Sequence, residues 1–185
     1  MESKKIDPKF NKVQNPKIGL IALASDYMIE KDFTNVIKDK KIDFFVNRIE
    51  CYNPLTSENL IKMSEKVTEV TKDILPGEKI DCVVYGCTSG TIAAGYDSIK
   101  KKIKIAKPEA EVTTPSTAAI KALKKLNINK IAVFTPYPKK LNDEVLEFFK
   151  KEKFQIKSNS YFDIESDIDI GKVDPEYLYQ ILSKM

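Results

Sequence analysis

Histidine is absent from the 185 residues, and arginine occurs once, as Arg48. The first absence removes the commonest general base, the commonest neutral metal ligand and every Ser-His or Cys-His pair. Cysteine is scarce as well: Cys51, Cys82 and Cys87 include no C-x-x-C pair, which excludes a dithiol redox motif and a zinc site of that spacing. An odd number of thiols without a secretory leader predicts reduced cysteines in a cytoplasmic protein. The first ten residues, MESKKIDPKF, contain no apolar h-region. The longest early apolar run, residues 18–24, falls far short of the roughly 20 residues that span a bilayer, so no membrane partner is expected. There is no long basic block either. The 31 Lys and Arg against 27 Asp and Glu give a net charge of +4, and the charges alternate, as in EKVTEVTKD. That pattern predicts a solvated surface and no nucleic-acid partner. Internal repeats and low-complexity tracts are missing too.

What remains is the composition of a globular unit, 42% hydrophobic and 31% charged. A chain of this size buries roughly 70% of its unfolded surface, enough for a core without disulfides or a structural metal. Residues 17–24 (KIGLIALA), 79–86 (KIDCVVYG) and 130–135 (KIAVFT) are continuous apolar runs of strand length. Such runs predict strands buried on both faces of a parallel sheet. Between them lie helical stripes: Leu60, Val67, Val70 and Ile74 before Pro76-Gly77; Ala118, Ala119, Ala122, Leu123 and Leu126; and Leu141, Val145, Leu146 and Phe149. Asp174-Pro175-Glu176 supplies an N-cap, a first-turn proline and a first-turn acid for a last helix through Leu178, Ile181 and Leu182. The alternation predicts an α/β fold around parallel sheet. Small or polar residues follow the strand ends near Ala24, Gly86, Thr113 and Thr135, where ligands of open α/β sheets bind.

The sharpest motif is Tyr85-Gly86-Cys87-Thr88-Ser89-Gly90-Thr91, placed where a buried strand gives way to a helix. A thiol there faces unpaired N–H groups and the positive end of the helix dipole, so its pKa is expected to fall. Thr88 and Ser89 add hydroxyl donors, and the whole suits a carboxylate or an oxyanion. The same residues also fit a small buried hydrophobe followed by ordinary helix caps. A C-x5-R phosphatase is excluded because position 93 is Ala93, and no Gly-Lys-Ser/Thr phosphate loop exists anywhere. Cys82, in mid-strand, reads as core, and Cys51, in NRIECYNP, as packing or loop. Thr135-Pro136-Tyr137-Pro138 can aim a tyrosine hydroxyl at a ligand, or form a turn with a surface ring.

ALASDYMIEKDF, YGCTSGT and VFTPYPKKLNDEVLEFF, in this order, resemble the aspartate/glutamate racemase superfamily, in the branch of maleate cis-trans isomerases, arylmalonate decarboxylases and ectoine-utilisation proteins. The resemblance runs from about Ile18 to the end of the chain. It implies an α/β fold of two pseudo-symmetric Rossmann-like halves with parallel sheets, residues 1–113 carrying the first cysteine and residues 114–185 forming an incomplete second half. It also implies a cofactor-independent isomerase or racemase-type enzyme acting on a small carboxylic acid, with room for a homo-oligomer. Carried over by position, Cys87 is the first-half nucleophile or proton-transfer base. Thr88 and Ser89 are carboxylate donors, and Tyr137 helps hold the carboxylate. Asp26 and Asp167 stand where maleate isomerases have asparagines, which points toward the ectoine-utilisation side. Arylmalonate decarboxylases have glycine at the Cys87 position, which speaks against a malonate-type decarboxylase.

The family's second Cys-Thr motif follows the helix that begins near Asp174, and this sequence has none there. The expectation is therefore a C-terminally incomplete chain with low activity. The alternative is a carboxylate-binding or inactive fragment that keeps the pocket without two-sided proton transfer.

Overall fold

The computed structural model describes residues 3–11 and 15–185. The run KIGLIAL forms β1 (Lys17–Leu23), which is flanked on both sides by parallel neighbours: β2 (Asp43–Ile49) and β3 (Cys82–Tyr85). β4 (Glu111–Thr113) adds to β3, and the order is β2-β1-β3-β4. A strand paired on both edges has both faces available for helices, and its alternate residues feed two cores. Ile21 and Leu23 of β1 point into the larger core with Ile49, Leu60, Val83, Tyr85 and Ile99. Leu20 and Ala22 point the other way, with Val84, onto Ile29 and Phe33.

α1 (Ile29–Ile37) covers this smaller face, where Phe33 stacks on Phe44 with ring centroids 5.3 Å apart. α2 (Ser57–Ser64), α3 (Val67–Lys72), α4 (Thr88–Ala94) and α5 (Tyr96–Ala106) follow, and residues from each belong to the larger core or pack against it. The stripe expected as one helix from Leu60 to Ile74 is thus two helices. The break at Glu65-Lys66 is tightened by N–H bonds to Lys62 and Met63, and the Ser64 hydroxyl bonds back to the Ile61 carbonyl at 2.6 Å. Such back-bonding bends helices. Leu60, Met63, Val67 and Ile74 still reach one core.

The remainder is α6 (Pro115–Lys125), β5 (Lys130–Thr135), α7 (Lys139–Lys151), β6 (Gln155–Tyr161), α8 (Asp167–Ile170) and α9 (Pro175–Leu182). β5 and β6 form a second parallel pair. Among the described residues β5 pairs on one edge alone, and this corrects the expectation of a doubly buried strand: Val133 and Thr135 are buried while Ala132 is exposed. The alanine stripe of α6 is corrected as well. A reciprocal capping box of Thr114 and Thr117, with Pro115 at the first turn, fixes the helix phase. That phase buries Ser116 and Ile120, one turn apart, and leaves Ala118, Ala122 and Leu126 facing water.

The two sheets are tied through α4 against α7 and by the segment before α8. Leu55 donates its N–H to the Glu165 carbonyl at 2.9 Å, and Asp167 N–H donates to Asn53 Oδ1 at 3.1 Å. Among the described residues no helix is long and apolar enough to cross a membrane.

Candidate active site

In the order β2-β1-β3-β4 the winding reverses between β1 and β3, and the crevice outside their carboxyl ends is where open α/β sheets bind ligands. β3 ends there in Gly86-Cys87. A Cβ on Gly86 would lie 2.8 Å from Ile29 Cδ1 and 3.0 Å from the Ile21 carbonyl oxygen. Only glycine lets β3 turn this close to β1. Cys87 then takes an extended conformation and serves as the N-cap of α4.

The cap is made by sulfur. Gly90 N–H donates to Cys87 Sγ at 3.2 Å, and the Ser89 hydroxyl lies 3.8 Å from it. Cys87 is 3% exposed. The expected fall in its pKa is corrected by the structure. Burial, the largest influence, pushes the thiol up to about 12, against the opposing pull of the Gly90 N–H and the Ser89 hydroxyl, while Cys51 and Asp167 add to the rise. Loss of hydration outweighs two donors when the group is this deeply enclosed. The resting group is a thiol.

Tyr137, which follows β5, reaches the same place from the second sheet. Burial raises the pKa of its hydroxyl, and the negative charge Cys87 can carry raises it further; the Ser89 and Thr88 hydroxyls hydrogen-bond to it and act the other way. The tyrosine stays protonated and able to donate. Thr88 and Tyr137 together line a cleft of about 390 Å³ along β5.

Ser25, Asp26 and Asp167 line a second cleft, of about 260 Å³, with Ile170, Pro175 and Leu178 from the C-terminal helices. The Ser25 hydroxyl donates to Asp167 Oδ2 at 2.5 Å. Burial raises the Asp167 pKa, Ser25 opposes the rise, and the Asp26 charge adds to it. Asp26 is occupied differently: its Oδ1 accepts from the N–H groups of Met28 and Ile29 at 2.7 and 3.0 Å and so fixes the entry into α1. The structure thus brings Cys87, Thr88, Ser89 and Tyr137 together, sets Asp167 near them with Ser25, and gives Asp26 a loop-shaping role at the entry to α1.

Three residues of this region escaped sequence reasoning. Ser25 supplies the partner of Asp167. Cys51, read from the sequence as packing or loop, is half-buried and packs on the larger core. It also hydrogen-bonds Ser25, and burial together with the Asp167 charge pushes its pKa up to about 11. β1 and β2 end side by side, Leu23 opposite Ile49, so the turn holding Ser25 and the segment holding Cys51 leave the sheet at the same end. The third is Tyr85, fully buried at the end of β3, whose hydroxyl finds no partner at ordinary hydrogen-bond geometry among the described residues and lies under the influence of Cys87. Among the described residues no group of three His, Cys, Asp or Glu side chains is placed to hold a metal ion.

Comparison with known proteins agrees with this architecture. The arylmalonate decarboxylase family model matches residues 96–185. A maleate isomerase of Geobacillus stearothermophilus is 22% identical over 184 residues, spanning 91% of this chain and 72% of the relative. The crystal structure of the maleate isomerase Iso from Pseudomonas putida S16 superposes with a TM-score of 0.82 at 20% identity, covering 92% of this chain and 73% of that one. A Cys-to-Ser mutant of Nocardia farcinica maleate cis-trans isomerase, carrying a covalently bound succinylcysteine intermediate, matches with a TM-score of 0.82 at 17% identity over 92% of this chain and 73% of its own. In fold and in sequence the chain is thus similar to the maleate isomerases, and residues 96–185 match the arylmalonate decarboxylase family model.

Proposed function

We propose that this chain is a cofactor-independent cis-trans isomerase of a small cis-unsaturated dicarboxylate, with maleate as the simplest example and Cys87 as the nucleophile. The observation that carries the reading is the enclosed thiol at the start of α4, ringed by the hydroxyls of Ser89, Thr88 and Tyr137. Those hydroxyls and the first-turn N–H groups of α4 are donors for one substrate carboxylate. They strengthen their hold as charge moves onto that carboxylate.

A thiol with a raised pKa gives up its proton as it adds, so the sulfur carries negative charge as the addition begins, and that proton then serves the substrate. Sulfur bonds to one alkene carbon, and the alkene electron pair shifts toward the adjacent carbon and its carboxylate. The proton released by sulfur is delivered to that carbon. The former double bond is now single and rotates. Removal of the same proton, with return of the electron pair and cleavage of the S–C bond, releases the trans isomer and restores the thiol. One nucleophile suffices for this sequence, and the junction of β3 and α4 provides one. Asp167, held by Ser25, lines the neighbouring cleft with Asp26.

A decarboxylase reading has its own support, because the arylmalonate decarboxylase model matches residues 96–185. That segment begins after Cys87, and the thiol at the first-half position is the feature the isomerase reading uses. Proton NMR decides between them. Maleate is expected to convert to its trans isomer with the purified protein, and the Cys87→Ser variant is expected to show no conversion. Undiminished conversion by that variant, or consumption of an arylmalonate in place of maleate, overturns the proposal.

A further inference from the structure

We infer that Tyr85 is a positioning residue for Cys87, its hydroxyl being the donor that holds the sulfur whenever the sulfur carries negative charge. The inference rests on the reading of Cys87 as the nucleophile. Tyr85 is completely buried, and among the described residues its Oη finds no partner at ordinary hydrogen-bond geometry, while Cys87 is the side chain near enough to act on it. A buried hydroxyl left unpaired is costly, and native proteins rarely keep one without a use. Phenylalanine would fill the same space without that cost.

The hydroxyl lies near the sulfur. A Cβ built on Gly90 would lie 2.8 Å from Tyr85 Oη, 2.8 Å from Cys87 Sγ and 3.2 Å from Met63 Cε. The phenol oxygen and the sulfur therefore converge on the same glycine, no further apart than twice that shorter distance. Met63 adds an apolar methyl beside them. In the neutral thiol, Sγ already accepts from the Gly90 N–H and is a weak acceptor for a second donor. A sulfur that bears charge is a strong acceptor, and charge-assisted hydrogen bonds are shorter and about twice as strong as neutral ones. Tyr85 is then satisfied. No proton changes hands: the bond forms as charge reaches sulfur and lapses when the thioether is complete.

The other groups facing Cys87 make this donor necessary. Asp167 at the start of α8 and Cys51 beyond β2 oppose negative charge on it, Ser89 of α4 favours it, and Tyr137 beyond β5 is coupled to it. Tyr85 comes from β3 itself, two residues before Cys87.

The test is the rate at which iodoacetamide labels Cys87 across neutral and mildly alkaline pH, read by peptide mapping, with Cys51 and Cys82 as internal controls. Tyr85→Phe is expected to label Cys87 about tenfold more slowly at each pH, the equivalent of a pKa about one unit higher. Its melting temperature should be equal to or above the parent's, and the other two thiols should label as before. Site-specific 3-fluorotyrosine at position 85, a stronger donor of the same shape, should accelerate labelling of Cys87, and it serves if the phenylalanine variant does not fold. Unchanged Cys87 labelling in either folded protein overturns the inference. Labelling needs no substrate, so a shift without isomerisation removes the proposed function and keeps this role for Tyr85, while isomerisation without a shift does the reverse.

Discussion

Replacing Gly90 with alanine sets two effects of known size against each other. Glycine within a helix costs roughly 0.5 to 1 kcal/mol relative to alanine, so the substitution would stabilise α4 if nothing opposed it. In the structure the added methyl would sit 2.8 Å from both Cys87 Sγ and Tyr85 Oη and 3.2 Å from Met63 Cε. Met63 is flexible and can retreat. The sulfur has little room to retreat, because a single side-chain carbon separates it from a backbone held as the N-cap of α4, and the Tyr85 ring is fixed in the core at 0% exposure. Overpacking of this kind costs about 1 to 3 kcal/mol. The clash outweighs the gain over most of these ranges, with a net loss of up to about 2.5 kcal/mol, or up to about 10 °C in melting temperature for a chain of this size. Urea titration followed by circular dichroism should show a lower midpoint at unchanged slope. Isomerase turnover should fall more than stability does, since the displaced atoms are the sulfur and its donors. G90A protein as stable as the parent, with undiminished turnover, would refute the packing described around Cys87.

The remaining expectations concern titration and binding. Cys87 has a folded pKa near 12 against an ordinary value of 9.0, so the unfolded chain loses this proton first and stability falls as pH rises above about 9. Each pH unit in that window costs about 1.4 kcal/mol for this thiol, and Cys87→Ser should flatten the alkaline limb by a comparable amount in denaturant titrations; an identical slope would contradict the burial argument. Asp167 also has a raised pKa, so its charge destabilises the fold as pH rises through the acidic range, and Asp167→Asn should gain stability at neutral pH and none at low pH. A gain of equal size at both would show that the charge is irrelevant. Tyr137→Phe should weaken dicarboxylate binding, measured by calorimetry, by about 1 kcal/mol at an unchanged melting temperature. A fall in melting temperature with unchanged affinity would return that tyrosine to a purely structural role.

Much of the positioning of Cys87 was legible because it is local. An apolar run ending in glycine, followed by Cys-Thr-Ser-Gly, specifies a strand that stops and a helix that starts, and β3 and α4 do so there. The two prolines after β5 marked Tyr137, and the family resemblance added Asp167, which no periodicity would have singled out. The misses are non-local. The α6 stripe offered apolar residues on more than one side, and only the capping box at Thr114 settled which side is buried. The helix break at Glu65 was hidden because both pieces continue one 3.6-residue period. Cys51 gains meaning from the β1 and β2 register and from the segment carrying Asp167, which lies 142 residues from its partner Ser25. Tyr85 alternates correctly as a core residue, and the place of its hydroxyl near the Cys87 sulfur is visible only in three dimensions. The direction of the Cys87 pKa was misjudged for the same reason: the helix terminus is written in the sequence, whereas the depth of burial is set by tertiary packing.

The claim that Cys87 is the nucleophile is tested most directly by mass spectrometry of the protein quenched with acid during turnover of maleate, followed by peptide mapping. A succinyl-type thioether on the peptide containing Cys87, absent from the Cys87→Ser variant and from protein quenched without substrate, is the expected result. Turnover with no adduct on Cys87, or an adduct confined to Cys51 or Cys82, would contradict the account.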